Sequence, residues 1–186
     1  DIHELNVRAV ESADLDITAI SMFALAHAAD RYAMTSCGSS MGYGYGPKVL
    51  AASPHHPEWL RDPNLLIAVP GERTSAFLVL RLMLGRSFRF KVMHFREIIP
   101  ALLRGEVNAG LVIHEAQVTY QDSGLHLVAD LGRWWTDATG LPMPLGANAL
   151  RRDLDERFGP GTMRDVARVL RASIAHAMAN REQGLD

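Results

Sequence analysis

The sequence contains a single cysteine, Cys37, among its 186 residues. One thiol cannot form an internal disulfide, and it cannot supply the several cysteine ligands of a structural zinc site. Long apolar runs are missing as well, since a stretch such as "LLIAV" is far shorter than the ~20 residues that a transmembrane helix needs. The sequence therefore predicts a protein of a reducing compartment that does not span a membrane.

Neither sign of charge is in large excess, because 19 Lys and Arg residues stand against 21 Asp and Glu residues and leave a net charge of −2. Such a balance creates no strong field for nucleic acid, so we predict no nucleic-acid partner. With 48% hydrophobic and 22% charged residues, the composition is typical of a soluble globular protein. It makes no prediction of the oligomeric state.

Segments with strand and helix periodicity alternate along the chain. Short apolar runs such as "LLIAV" and "AGLVI" are typical of buried strands, whereas "TSAFLVLRLML" is typical of a helix. At the start, Asp1 and Glu4 have the spacing of a helix capping box. The alternation predicts an α/β fold with largely parallel sheets. The proline-rich connection "SPHHPEWLRDPN" predicts two lobes, one from residues 1–53 with 145–186 and one from residues 54–144.

Thr74 and Ser75 form the first candidate site. They follow a predicted strand that ends at Val69 and a turn at Gly71, and they begin an apolar helix. Backbone N–H groups, two hydroxyls and the positive end of the helix dipole favour an anion such as a carboxylate there. The alternative is a plain helix cap, since Ser and Thr are preferred at that position for local reasons, and these residues alone favour the cap.

The glycine-rich stretch "TSCGSSMGYGYGP" is the second candidate. A dinucleotide or phosphate loop must open a helix, but Pro47 and a predicted strand follow, and no Gly-Lys-Ser/Thr occurs. We therefore reject nucleotide binding. The glycines predict that the backbone approaches something closely, which is either a ligand or the neighbouring lobe.

His114 is the third candidate, because it ends the buried strand "AGLVI". An imidazole at a strand end can serve as a general base. The alternative is a histidine held in place by a hydrogen bond, with Glu115 in solvent. A metal site is not favoured, because Val118 stands where the motif H-E-x-x-H requires a second histidine. These residues alone predict a two-lobed α/β protein with a candidate small-anion site near Thr74, Ser75 and His114, which is compatible with an enzyme and with a solute-binding protein.

Several of these stretches occur together, and in the same order, in one family. The segments "DIHELN", "VPGERTSAFLVLRL", "GEVNAGLVIHEAQVTY" and "LVADLGRWWTDATGLPMPLGA" resemble the 1,4-dihydroxy-6-naphthoate synthases, which cleave cyclic dehypoxanthinyl futalosine on the futalosine route to menaquinone. The resemblance covers nearly the whole chain. It implies a two-lobed type 2 periplasmic-binding-protein fold and a cytoplasmic carbon–carbon lyase. No metal and no organic cofactor is implied, and the small-molecule substrate carries a carboxylate and lies between the lobes.

The resemblance also implies roles for particular residues. His114 matches the family's active-site histidine, which takes a proton from a substrate hydroxyl and so starts cleavage of the carbon–carbon bond. The other matching positions are implied to contact the substrate: Thr74, Ser75, Ala19, Ile20, Ser21, Ser36 and Gly38. Among these, Ser21 is the expected polar contact of its segment.

Two departures from the family accompany this resemblance. Ala19 stands where the family often has a lysine, so we expect one polar contact to the substrate to be missing. Family members also have a strand and a loop before the segment that matches "DIHELN" and a segment after the last match, so we expect this chain to lack both. A non-enzymatic binding protein of the same fold for a small aromatic carboxylate, and the related chorismate dehydratase, are the alternatives.

Overall fold

The structure is a computed structural model that describes residues 1–182, in which helices and strands alternate. The α-helices of this part are α1 (Ile2–Glu11), α2 (Met22–Ala26), α3 (Ser75–Leu84), α4 (Ile98–Leu103), α5 (Ala116–Thr119), α6 (Leu131–Thr139), α7 (Leu154–Phe158) and α8 (Thr162–Ala179). The strands are β1 (Ile17–Ser21), β2 (Tyr32–Met34), β3 (Ser40–Gly42), β4 (Lys48–Ala51), β5 (Leu66–Val69), β6 (Arg89–Val92), β7 (Ala109–Val112), β8 (His126–Asp130) and β9 (Met143–Arg151). Short 3₁₀ helices lie at Pro57–Arg61, Phe95–Glu97 and Tyr120–Ser123.

The chain divides into two units. The first contains Asp1–Ser40 and Gly146–Asp186, and the second contains Met41–Leu145. The predicted lobes change at residues 53–54, whereas the units change at residues 40–41, because β4 pairs with β7 and β8 of the second unit. The sequence pattern indicated that β4 is a strand, but it did not indicate which strands it pairs with.

The first unit contains a small antiparallel sheet in the order β1-β9-β2. Its core is made of alanines packed around Ile20 and Tyr32. The sequence-based start of α1 is confirmed, since the Asp1 carboxylate accepts a hydrogen bond from the backbone N–H of His3 at 2.6 Å. This helix places Asn6, which is fully buried, beside the end of β1.

Asp155 caps the start of α8 in the first unit. Its carboxylate accepts hydrogen bonds from the backbone N–H groups of Gly161, at 3.1 Å, and Met163, at 2.8 Å. The bond from Met163 contributes most, and together the two bonds lower the pKa of the Asp155 carboxyl below its ordinary value. The charged form is therefore favoured in the folded state.

Asp155→Ala is expected to lower the melting temperature at neutral pH, because two N–H groups of α8 lose their acceptor. A lowered pKa contributes stability that is complete above the ordinary carboxyl pKa of about 3.9 and is lost as the pH falls through the lowered value. The difference between wild type and variant should therefore persist from pH 7 to about pH 5 and shrink in more acid solution. Calorimetry across this range measures it. Glu156→Ala, which removes an exposed carboxylate next to it, is the control, and an equal loss there would contradict the capping role.

The second unit contains a five-stranded sheet in the order β6-β5-β7-β4-β8. The pairs β5–β6 and β5–β7 are parallel, whereas β4 is antiparallel to both β7 and β8. The prediction of largely parallel sheets is therefore wrong. Alternation of helices and strands predicts crossovers between neighbouring strands, but β4 inserts between strands that come later in the chain and runs against both.

Both faces of this sheet are covered, which explains the continuous apolar runs in its strands. One face packs against α3 and α6 through residues such as Phe77, Leu80 and Leu131, and the other packs against α4 through Ile98 and Leu102. Gly110 in β7 allows α4 to come close, because a Cβ atom there would lie 2.6 Å from Ile98 and 2.8 Å from Leu102. This packing fixes the strand that leads to His114.

Candidate functional site

The parallel strands of the second unit end at one edge of its sheet. Val69 ends β5 and is paired in register with Val92, the last residue of β6, and β7 runs parallel to β5 on its other side. Loops that leave the carboxyl ends of parallel strands are where α/β proteins place their ligands. We call this edge the carboxyl edge.

Three predicted site residues follow strands that end here. Thr74 and Ser75 come after β5, and His114 comes two residues after the end of β7. The structure therefore places His114, Thr74 and Ser75 in one unit and at one edge of one sheet.

His114 leaves the sheet by a change of backbone conformation. Its φ is +56°, in the left-handed region that residues other than glycine seldom adopt, although histidine adopts it more often than most. The residue is exposed, and its backbone carbonyl accepts a hydrogen bond from the N–H of Gln117 at 3.3 Å. The turn thus ends the buried strand and directs the imidazole out of the core.

Phe95 holds the His114 ring from the side. The two ring centroids are 4.9 Å apart, and the planes meet at 70°, which is an edge-to-face contact. Because Phe95 follows β6 and His114 follows β7, this contact bridges the loops on either side of β5. In the part of the chain that the structure describes, this ring contact, rather than a hydrogen bond, is what holds the imidazole, so its nitrogens are available to a ligand.

Sequence analysis did not single out Phe95. Its ring stacks with the ring of His94, with 4.6 Å between the centroids, and the Arg96 guanidinium lies 5.6 Å from its centroid. The residues "FRFKVMHF" predict one continuous strand that includes Phe95, whereas β6 ends at Val92, three residues earlier. Strand-end reasoning applied to β6 would have identified it.

The hydroxyl of Thr74 forms hydrogen bonds to the backbone of the protein itself. Thr74 is 3% exposed, and its Oγ1 donates to the Gly71 carbonyl at 2.8 Å and accepts from the Phe77 N–H at 3.2 Å. Ser75 is also buried, and its Oγ donates to the Leu145 carbonyl at 2.7 Å. The helix-cap alternative is therefore what the structure shows for Thr74. An anion at this helix would have to be held by backbone N–H groups.

Thr74→Val is expected to lower the free energy of unfolding by about 1–2 kcal/mol, because it removes a buried helix cap while keeping the shape of the side chain. Thr74→Ser keeps the hydroxyl and should lose far less. Urea denaturation of the two variants beside wild type measures the difference. Equal losses in both would contradict the prediction, because they would show that the buried methyl group contributes as much as the hydroxyl.

The first unit holds the remaining predicted residues. Ile20 is fully buried, so its side chain belongs to the core. Ser21 is also buried, and its Oγ accepts a hydrogen bond from the Asn6 side chain at 2.9 Å, while its backbone N–H donates to the Asn6 Oδ1 at 2.9 Å. Asn6 therefore fixes the position of Ser21. The sequence signal for Asn6 is its place on the buried face of α1 with Ala9.

Ala19, Gly38 and Asn148 lie together in the first unit. Ala19 is exposed in β1 and is paired in register with Asn148 of β9. Gly38 has a φ of +75°, and a Cβ atom there would overlap the amide nitrogen of Asn148. Ser36 lies nearby in the chain, and its Oγ accepts a hydrogen bond from Arg171 at 2.9 Å. Asn148 was not predicted, although it is a lone polar residue in the strand "GANAL".

Within residues 1–182 there is no group of three or more His, Cys, Asp or Glu side chains that could hold a metal ion. No helix in this part of the chain has the length and apolar character to cross a bilayer.

The sequence profile described as menaquinone biosynthesis matches residues 1–186. The chain belongs to the menaquinone biosynthesis family. It is 41% identical, over its whole length, to the 1,4-dihydroxy-6-naphthoate synthase of Thermus thermophilus, and 40% identical over 90% of its length to that of Streptomyces coelicolor. The family predicted from the sequence motifs is thus confirmed.

The match does not extend over the whole of these relatives. The chain spans 65% of the Thermus protein and 58% of the Streptomyces protein. Among solved structures, a protein from Archaeoglobus fulgidus in the same range of similarity has a TM-score of 0.87 and 43% identity, over 98% of this chain and 65% of that one.

More distant structures identify the fold of this menaquinone biosynthesis family member. The alkanesulfonate-binding protein of Xanthomonas axonopodis has a TM-score of 0.63 at 17% identity, over 97% of this chain and 61% of its own. Such a likeness concerns the fold alone. The predicted periplasmic-binding-protein-like fold is confirmed.

Proposed function

We propose that this chain carries the activity of a 1,4-dihydroxy-6-naphthoate synthase, a carbon–carbon lyase of menaquinone biosynthesis that acts on cyclic dehypoxanthinyl futalosine. The observation that carries the proposal is an exposed His114 at the carboxyl edge, in a chain 41% identical to a synthase of that name. The proposal includes a cytoplasmic reaction and no cofactor, as the sequence resemblance implies.

His114 is the general base in this proposal. A base must bring a ring nitrogen within hydrogen-bond reach of the proton that it takes, and His114 is exposed and turned out of the sheet. The edge-to-face contact with Phe95 restricts the orientation of the ring without occupying its nitrogens. Removal of a proton from a substrate hydroxyl leaves an alkoxide, which becomes a carbonyl as the adjacent carbon–carbon bond breaks. The departing carbon keeps the electron pair of that bond and takes up a proton.

The start of α3 supports an anionic substrate in this proposal. Thr74 caps a helix of ten residues whose first backbone N–H groups and positive dipole end lie at the same edge as His114. Fixed placement of a distant carboxylate lets a base reach one hydroxyl in preference to others. For the first unit, Ala19, Ile20, Ser21, Ser36 and Gly38 remain predictions from the sequence resemblance.

A binding protein without catalysis is the second candidate. The fold shared with the alkanesulfonate-binding protein, at a TM-score of 0.63, favours it. In that case His114 would contact the ligand and there would be no reaction to lose. The related chorismate dehydratase is the third candidate, and it differs in its product.

Mass spectrometric product analysis tests the proposal. The chain is incubated with cyclic dehypoxanthinyl futalosine, beside a form extended to the length of the curated relatives. Formation of 1,4-dihydroxy-6-naphthoate supports the synthase, and substrate bound but unchanged in the extended form favours the binding protein. Incubation with chorismate is the third arm, and an enolpyruvyl ether on a benzoate ring would instead identify a dehydratase.

A further inference from the structure

Lys48 lies at the carboxyl edge beside the strand of His114. It is the first residue of β4 and is paired in register with Val112 on one side and with Asp130 on the other. Val112 is the last residue of β7, two positions before His114. The start of the antiparallel strand β4 therefore brings a cation to the edge where the parallel strands end.

The ammonium of Lys48 is held in a rigid corner. It forms an ion pair with Asp130 Oδ2, while Asp130 Oδ1 caps α6 by accepting the Arg133 N–H at 3.0 Å. The residue before Lys48 is tied to the same helix, since the Pro47 carbonyl accepts the Leu131 N–H at 2.9 Å. Two strands and one helix start thus fix the position of this charge.

Glycines make this corner possible. A Cβ atom on Gly46 would lie 2.9 Å from the Cα atom of Gly132, and a Cβ atom on Gly132 would overlap the backbone of Tyr45. The glycine-rich stretch therefore approaches the first turn of α6 closely. This contact within the second unit explains part of a motif that the sequence left open between a ligand and a neighbouring lobe.

The Lys48–Asp130 pair is unusually sheltered for this unit. Its side chains are 15% and 22% exposed, whereas those of Arg104–Glu106 and Arg133–Asp137 are 44% to 80% exposed. Removing two charges from water costs free energy that a pair regains only in part, so such a pair is a poor source of stability. Because the Lys48–Asp130 pair lies beside the candidate site, ligand binding explains its presence better than stability does.

The corner keeps donors and positive character for a ligand. An ammonium has three donors, and Asp130 takes one, which leaves two among the residues that the structure describes. The single negative charge of Asp130 is shared between the Lys48 ammonium and the positive end of the α6 dipole. It does not neutralise both, so net positive character remains there. By contrast, the hydroxyls of Thr74 and Ser75 already donate to carbonyls within the protein.

We propose that Lys48 is a further substrate-binding residue, whose ammonium binds the carboxylate of the substrate at the carboxyl edge. Asp130 is the positioning residue that holds Lys48 there. This inference rests on the proposed function, because it takes the aromatic carboxylate as its ligand. It adds β4, a strand in which the sequence predicted no site residue, to the start of α3 as a source of positive charge at this edge.

Calorimetric binding of two ligands to the chain tests this role. The ligands are 1,4-dihydroxy-6-naphthoate and its carboxamide, which has the same ring but no charge. Lys48→Met is expected to weaken binding of the acid about tenfold to a hundredfold, as loss of a charged hydrogen bond does, and to leave the amide unchanged. Lys91→Met, the same change at an exposed lysine of β6, should leave both unchanged.

Other outcomes overturn the inference. Equal weakening of acid and amide by Lys48→Met would show that the pair only holds the fold, and full retention of acid binding would show that Lys48 does not contact the carboxylate. If Lys48→Met does not fold, Lys48→Gln, which can still hydrogen-bond Asp130, is judged by the same criterion. Failure of the wild type to bind either ligand would refute the proposed function itself. Wild-type binding with an unchanged preference in the Lys48 variants would refute this inference alone.

Discussion

His114→Asn is expected to lower the rate of naphthoate formation by about 10²- to 10⁴-fold while leaving substrate affinity within a few-fold of wild type. The side chain of Asn is too weak a base to take the hydroxyl proton. The rest of the site is unchanged, because Phe95 contacts the His114 ring from its own loop and the strand beneath is held by α4. Product analysis gives the rate, and calorimetry gives the affinity.

Asn is the right replacement because of the backbone at this position. His114 has a φ of +56°, and Asn adopts the left-handed region more readily than other residues with a side chain. Alanine would add backbone strain and confuse a chemical loss with a structural one. With Asn, lost activity reports the missing imidazole.

Glu115→Gln is the matched control for this prediction. Glu115 is the exposed neighbour of His114, and its backbone carbonyl, which the substitution leaves in place, accepts hydrogen bonds from Val118 and Thr119. It should keep full activity. Activity retained by His114→Asn would remove the base from the mechanism, and a similar loss in both variants would point to damage of the turn instead.

Gly132→Ala has the second large expected effect, a loss of about 1–3 kcal/mol or more in the free energy of unfolding. Helix propensity alone predicts the opposite, because Gly to Ala inside a helix gains about 1 kcal/mol. The expected effect on stability is opposite because the new Cβ atom would overlap the backbone of Tyr45 and Gly46. A backbone, unlike a side chain, cannot rotate away from the added atom. Urea denaturation monitored by circular dichroism measures the change.

Ala138→Gly is the control within the same helix. Ala138 is exposed near the end of α6, so its replacement should cost about 1 kcal/mol through propensity alone. If Gly132→Ala instead stabilised the protein, α6 would not lie against the glycine-rich stretch. The rigid corner that holds Lys48 would then lose its basis.

The start of α3 shows which structural features can be predicted from local sequence. The residues "VPGERTSA" predicted a strand end at Val69, a turn at Gly71 and a helix that begins with Thr74 and Ser75. In the structure β5 ends at Val69, a turn runs from Gly71 to Thr74, and the helix begins at Ser75 with Thr74 as its cap. Each depends on neighbours in the chain, through helix capping and side-chain periodicity. The same local logic found His114, because a polar pair after a buried apolar run indicates a strand end without any knowledge of the sheet.

The pairing partners and direction of a strand could not be predicted from local sequence. The residues "PKVLAA" indicated a strand, but its apolar pattern is the same in a parallel and in an antiparallel neighbour. Its insertion between β7 and β8, which assigns Lys48 to the second unit, is decided by residues that are far away in sequence. Phe95 and Asn148 were missed for a related reason, since their partners His114 and Gly38 come from other loops.

By itself, the sequence determined the positions of the main strands and helices, the family, and the histidine at the end of β7, because these depend on local periodicity, capping and motifs. Only the tertiary structure decided the direction of β4, the use of the Thr74 hydroxyl as a cap, and the pairing of Lys48 with Asp130. The physical reason is that these features arise from contacts between segments distant in the chain. Their free energy comes from the packing of the whole sheet and leaves no periodic signal in any one segment.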